Sequence, residues 1–295
     1  MERAGLNRDE LECNACERCP IVPSIAPPKV DLGRERGWNP LAADSVAAAG
    51  SSYLGSSDGV LKHILDPHRR PGAAEMAVHE ELLERVLGEG YPCVGARSAF
   101  NRRLFRFGRY AEIGADAVGR ALCHDLYEFS YEMGEMDSAF VTFIATFGEP
   151  NILSEAHFER LLWVQLQQMH EIDNQFFGWD PAVSPDPGDN QFSFSIGGRA
   201  YFIVGLHPLA SRKARQFPHA ALVLNLHVQF GRLRERGKFE MFKNMIRARD
   251  MVFQGSINPV LENFGDSSEA RQYSGRAVED NWRCPFQPVD QNHAG

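Results

Sequence analysis

The sequence predicts an α+β fold, a mixed, partly antiparallel sheet packed with helices in a single main domain. Three observations predict it. Apolar residues recur at helical spacing in several segments, and β-branched or aromatic runs lie between them. Two of those runs flank Gly197-Gly198, a dipeptide suited to a tight hairpin turn with positive φ.

In chain order, residues 1–75 are rich in Cys, Pro and Gly and read as a partly irregular N-terminal extension; 76–295 hold the main domain. Within the extension, 44–49 and 59–65 are the better helical stretches. A helix over 76–92 follows from Met76, Val78, Leu82, Leu83, Val86 and Leu87, with Gly88 and Gly90 stopping it. The alternating stretch from Ala99 to Phe107 suggests a strand or strand–turn. Residues 114–135 carry a helix face of Ala117, Val118, Ala121, Leu122, Leu126 and Phe129, and 139–147 read as a buried strand.

Ser154 opens a strong helix running to about Gln175, and a Pro- and Asp-rich loop covers 179–190. Strands follow over 191–196 and 200–206. Then come a short helix over 209–217, a strand over 220–226 and a long basic helix from Val228 to about Phe253. No phosphate-loop or dinucleotide glycine fingerprint is present.

Composition narrows the function classes. A formal charge of −8 argues against a nucleic-acid partner, and the basic stretch from Arg232 to Arg249 reads as the solvated face of a core helix. No apolar run approaches the roughly 20 residues of a membrane span, and the first residues lack a signal-peptide core, so a cytoplasmic location is expected. Cys13, Cys16 and Cys19 form a Cys-x-x-Cys-x-x-Cys run able to place three thiolates around one metal, but a nearby fourth ligand is missing. A redox-sensitive extension is the alternative.

The chemistry concentrates in 199–286. His207 ends an apolar run and precedes Pro208; Ser211, Arg212 and Arg215 follow, a set that favours an anion beside a metal or cofactor. The bland reading is a buried histidine with two solvated arginines. His227 ends the next strand between Asn225 and Gln229. If 209–217 acts as a crossover, the two strands run parallel and both histidines share one end of the sheet. His170, three residues before Asp173, is an alternative ligand or a packing histidine satisfied by that carboxylate. Cys284, in an aromatic setting, is a thiolate ligand or an inert buried thiol. His63, His68, His79 and His293 read as exposed. Glu262, Asp266 and Glu269 are the acids of the polar segment after Pro259.

Several of these blocks, above all His207-Pro-Leu-Ala-Ser211-Arg212-Lys-Ala-Arg215 and Glu269-Ala-Arg271-Gln-Tyr273-Ser-Gly-Arg276, resemble the bacterial YqcI/YcgG family over roughly 94–286. Members with assigned roles are haem-dependent N-hydroxylases of L-arginine or related guanidines in small-molecule biosynthesis. The resemblance therefore implies haem b and a monooxygenase using O2 with an electron donor, or peroxide. His207 is the first choice of iron ligand, with Cys284 and His170 as alternatives. Ser211, Arg212 and Arg215 would serve the haem, His227 would be the catalytic residue or a ligand, and Glu262 and Glu269 would clamp the guanidinium. A haem carrier or sensor without turnover is the competing reading, since Cys19-Pro20 and Cys284-Pro285 are Cys-Pro pairs able to bind haem.

Overall fold

The computed structural model describes residues 38–57, 59–132, 140–258 and 264–289. Seven strands form one sheet: β1 (Leu54–Ser57), β2 (Val60–His63), β3 (Phe105–Glu112), β4 (Thr142–Glu149), β5 (Phe194–Ile196), β6 (Arg199–Leu206) and β7 (Ala220–Leu226). Their order is β2-β1-β3-β4-β7-β6-β5, and only β3 and β4 pair in parallel. The helices are α1 (Ser45–Gly50), α2 (Ala73–Leu87), α3 (Val94–Asn101), α4 (Asp116–Glu132), α5 (Glu155–Asp173), α6 (Val228–Glu235), α7 (Phe239–Gln254) and α8 (Ala270–Tyr273). The α+β class and single packed domain expected from sequence are what forms.

Strand alternation divides the sheet's side chains between two cores. Phe143, Ala145, Leu222, Leu224, Tyr201 and Ile203 face α4 and α5. Ile144, Ala221, Leu206 and Phe107 face α2 and α3. In α5, Phe158, Leu162, Leu166 and Met169 are fully buried at helical spacing, each such side chain stabilising the fold by about 1.5–3 kcal/mol. Ser154 caps that helix by accepting from the His157 N–H at 3.0 Å. Gly197 and Gly198, with φ of 62° and 69°, turn the β5–β6 hairpin where the dipeptide predicts it.

Several expectations are corrected. Residues 60–63 form an edge strand rather than a helix turn, and the stretch before β3 is the helix α3. The part of the expected extension from residue 38 onward contributes α1 and the β1–β2 hairpin to the same sheet. Buried Asp125 of α4 ties it down, accepting from Ser51 Oγ at 2.6 Å, Ser52 N–H at 2.8 Å and Tyr110 OH at 2.7 Å. His63, expected at the surface, is buried 3.2 Å from Glu75. The long basic helix divides at Gly237, whose φ of 65° ends α6 and turns the chain into α7. Among the described residues no helix is long and apolar enough to cross a membrane.

Candidate active site

β6 and β7 are antiparallel, with Tyr201 opposite Leu226 and Leu206 opposite Ala221. The parallel pairing that would have joined the two histidines does not form. The 206–220 connection contains a single 3-10 turn, Lys213–Arg215, instead of a packed helix, and so returns the chain as a hairpin does. His207 and His227 therefore lie at opposite ends of this strand pair, roughly 20 Å apart at about 3.4 Å per residue.

His207 is almost fully buried, lies 4.5 Å from the Phe158 ring, and neither ring nitrogen has a hydrogen-bond partner. Burial, opposed by Glu155 and reinforced by Arg215, pushes its pKa down to about 4, so the imidazole is neutral. The basic residues after it face protein acceptors rather than a free anion site. Arg212 donates to Asp250 at 2.5 Å and to the Ser256 hydroxyl and carbonyl, both at 2.7 Å. Arg215 donates to the carbonyls of Gly205 (3.2 Å), Tyr273 (3.0 Å) and Gln272 (3.0 Å). The Ser211 N–H donates to Glu155 at 2.9 Å.

The other end of the sheet carries a cavity of about 120 Å³. Phe202 of β6, Phe230 and Arg234 of α6, Phe239, Phe242, Lys243 and Ile246 of α7, and Phe264 wall it. The break at Gly237 builds this pocket, because it brings the start of α7 back beside α6. His227, Glu269 and Gln272 supply the remaining lining. His227 Nε2 lies 3.5 Å from Glu269 Oε1, within ion-pair reach but outside hydrogen-bond geometry, and the ring meets Phe264 edge-on at 4.5 Å. Glu269 is 4% exposed, and its other oxygen is 3.4 Å from the Tyr273 hydroxyl.

The structure thus brings together two residues that sequence singled out, His227 and Glu269, and separates them from His207, Ser211 and Arg212. Gln272 was missed; a glutamine inside a polar block carries no signal until its burial is known. Arg215 connects the two ends, since its bonds fix the backbone of the α8 turn that presents Glu269 and Gln272.

The alternative ligands lie elsewhere. His170 Nε2 accepts the Val289 N–H at 2.9 Å, and its ring packs against Phe286 and Trp179. Its expected partner Asp173 instead accepts from Tyr127 OH and Gly197 N–H. Burial pushes the Cys284 thiol up to about 12, which keeps it protonated. Asp266 is at the surface. Glu262, Cys13, Cys16, Cys19 and His293 lie outside the described residues, among which no group of three or more His, Cys, Asp or Glu side chains is placed to hold a metal.

The YqcI/YcgG family model matches residues 80–287, which include β3 to β7 and the whole pocket. The chain belongs to the YqcI/YcgG family. A Streptomyces lavendulae protein provisionally named N(omega)-hydroxy-L-arginine synthase DcsA is 27% identical over 228 residues, covering 70% of this chain and 82% of the relative. No solved structure matches. The resemblance read from the sequence blocks is thereby established for this YqcI/YcgG member.

Proposed function

We propose that this YqcI/YcgG protein N-hydroxylates the guanidino group of L-arginine or a related guanidine. The observation that carries the reading is the setting of Glu269. A buried carboxylate normally has a cationic partner, yet among the described residues the only ion-pair partner of Glu269 within 4 Å is His227. Phe202, Phe230, Phe239, Phe242 and Phe264 supply aromatic walls, and aromatic faces attract cations, as Arg234 over the Phe239 and Phe264 rings illustrates. A guanidinium entering the pocket would supply the missing charge, and Glu269 would hold it by paired N–H···O bonds. Arg234, also in the lining, suits the carboxylate of an amino acid, whereas Lys243 is already paired with Glu240 at 2.7 Å.

The finer reading, that haem b performs the oxidation, rests on the family resemblance. The pocket as it stands does not fit a haem: His227 is its one histidine, no cysteine lines it, that imidazole already faces Glu269, and the cavity is far below the usual several hundred Å³ of a cofactor site. In the overall reaction one oxygen of O2 enters an N–H bond to give N–OH. The other leaves as water, taking two electrons from a donor and two protons. His227 Nε2, beside Glu269, can hold and pass such a proton.

The test combines product and binding. Purified full-length protein, given L-arginine, O2 and a reductant, should form N-hydroxyarginine, and the presence or absence of a Soret band in its optical spectrum reports whether haem is bound. Glu269→Gln keeps the shape and removes the charge, so arginine affinity should fall roughly ten- to hundred-fold by calorimetry. Haem without product would favour a carrier or sensor, and a colourless protein would remove the haem from the reading. Unchanged arginine affinity in Glu269→Gln would place the guanidinium elsewhere.

A further inference from the structure

Gln272 has no place in the reading so far, yet it is 2% exposed and neither its Oε1 nor its Nε2 has a partner. A buried carboxamide with both atoms unpaired carries an uncompensated desolvation cost, and native proteins keep few of them. Its backbone is not free to adjust. The Gln272 N–H donates to Glu269 O at 2.9 Å, and the Gln272 carbonyl accepts from Arg215. Spaced three residues apart across the α8 turn, Glu269 and Gln272 both line the pocket.

We infer that Gln272 is a substrate-binding residue that selects a guanidinium over an ammonium. This deepens the guanidino reading of the pocket and rests on it. A guanidinium is a planar fork with N–H groups pointing apart, so one edge can pair with the Glu269 carboxylate while another N–H donates to Gln272 Oε1. An ammonium is a compact point charge: it can satisfy Glu269 and leave the carboxamide as unpaired as before. Sites built around such a polar group reject the analogue that fails to satisfy it. Arginine is therefore held by both side chains, whereas lysine is held by Glu269 alone.

Calorimetric titration of the full chain with L-arginine and L-lysine tests this. Wild type should prefer arginine. Gln272→Met, close in shape and without the amide, should weaken arginine about ten-fold or more and leave lysine unchanged. The same variant should melt at a higher temperature, because an unpaired amide has been replaced by an apolar group; a purely structural glutamine would lower the melting point instead. Gln272→Glu retains an acceptor and should keep arginine binding, which provides a second variant if Gln272→Met does not fold. Wild-type binding with unchanged arginine affinity in Gln272→Met overturns this inference alone, as does a lowered melting temperature or loss of arginine binding in Gln272→Glu. Wild type that binds neither ligand overturns the guanidino reading and this inference with it.

Discussion

Replacing Arg215 by Met tests whether the arginine after His207 holds the pocket floor. Arg215 is 7% exposed and donates to three carbonyls, those of Gly205, Gln272 and Tyr273. Hydrogen bonds to a charged group contribute about 1.5–3 kcal/mol each. Those values are already net of the desolvation that depresses its pKa from 12.5 to about 10. Three such bonds imply a stabilisation of several kcal/mol, on the order of 5. Met fills much of the same space, so the loss should be read chiefly through the hydrogen bonds. Urea denaturation of wild type and Arg215→Met measures it, and arginine titration should show weaker binding in the folded variant, because Glu269 and Gln272 lose their anchor. A stability change below about 0.5 kcal/mol, the usual range for an uninvolved surface position, would refute the assignment.

Two further outcomes are expected. His227→Ala should slow N-hydroxylation by about a hundred-fold or more if His227 passes protons, while His207→Phe, at the opposite end of the β6–β7 pair, should leave arginine affinity within about two-fold, a change smaller than one hydrogen bond contributes; equal losses in turnover and affinity for both variants would contradict the two-ended arrangement. The pH dependence of stability should carry two opposite slopes. Burial raises the Asp173 carboxyl from 3.8 to about 7, so the folded state holds an extra proton in that window and loses stability as pH rises through it. His207 is depressed from 6.5 to about 4, so the unfolded state binds the extra proton and stability falls as pH drops through that range. Asp173→Asn should therefore melt higher than wild type at about pH 8, and His207→Phe should flatten the acid-side fall; thermal melts across pH check both.

Much of the fold was legible because periodicity reports burial directly. The buried Val78, Leu82 and Val86 of α2, and the Phe158 to Met169 face of α5, were readable from spacing. Gly197-Gly198 marked its turn through the φ it permits. What failed depended on partners distant in sequence. Nothing local says whether β6 and β7 run parallel, and only the parallel alternative would have placed His207 and His227 in one site. Arg212 and Arg215 read as anion binders because their acceptors, Asp250, Ser256, Gln272 and Tyr273, lie tens of residues away. The helix expected from Val228 to about Phe253 runs across Gly237, whose left-handed φ reveals the break that forms the pocket. Glu269 was found through the family block around it; Gln272, in the same block, needed the burial of its amide.

Gly275 adds a constraint to the arginine staple. Its φ is 83°, and a Cβ there would come within 3.1 Å of the Arg215 guanidinium. The side chain at 215 and the missing side chain at 275 are thus one fitted pair, sixty residues apart in the chain. A larger residue at 275 would have to displace the guanidinium or strain the backbone. Changes at these two positions should be tolerated jointly or hardly at all, which makes the pair a way to judge whether a divergent chain still carries this pocket: a relative with Arg at the first position and a branched residue at the second would have had to rebuild its floor.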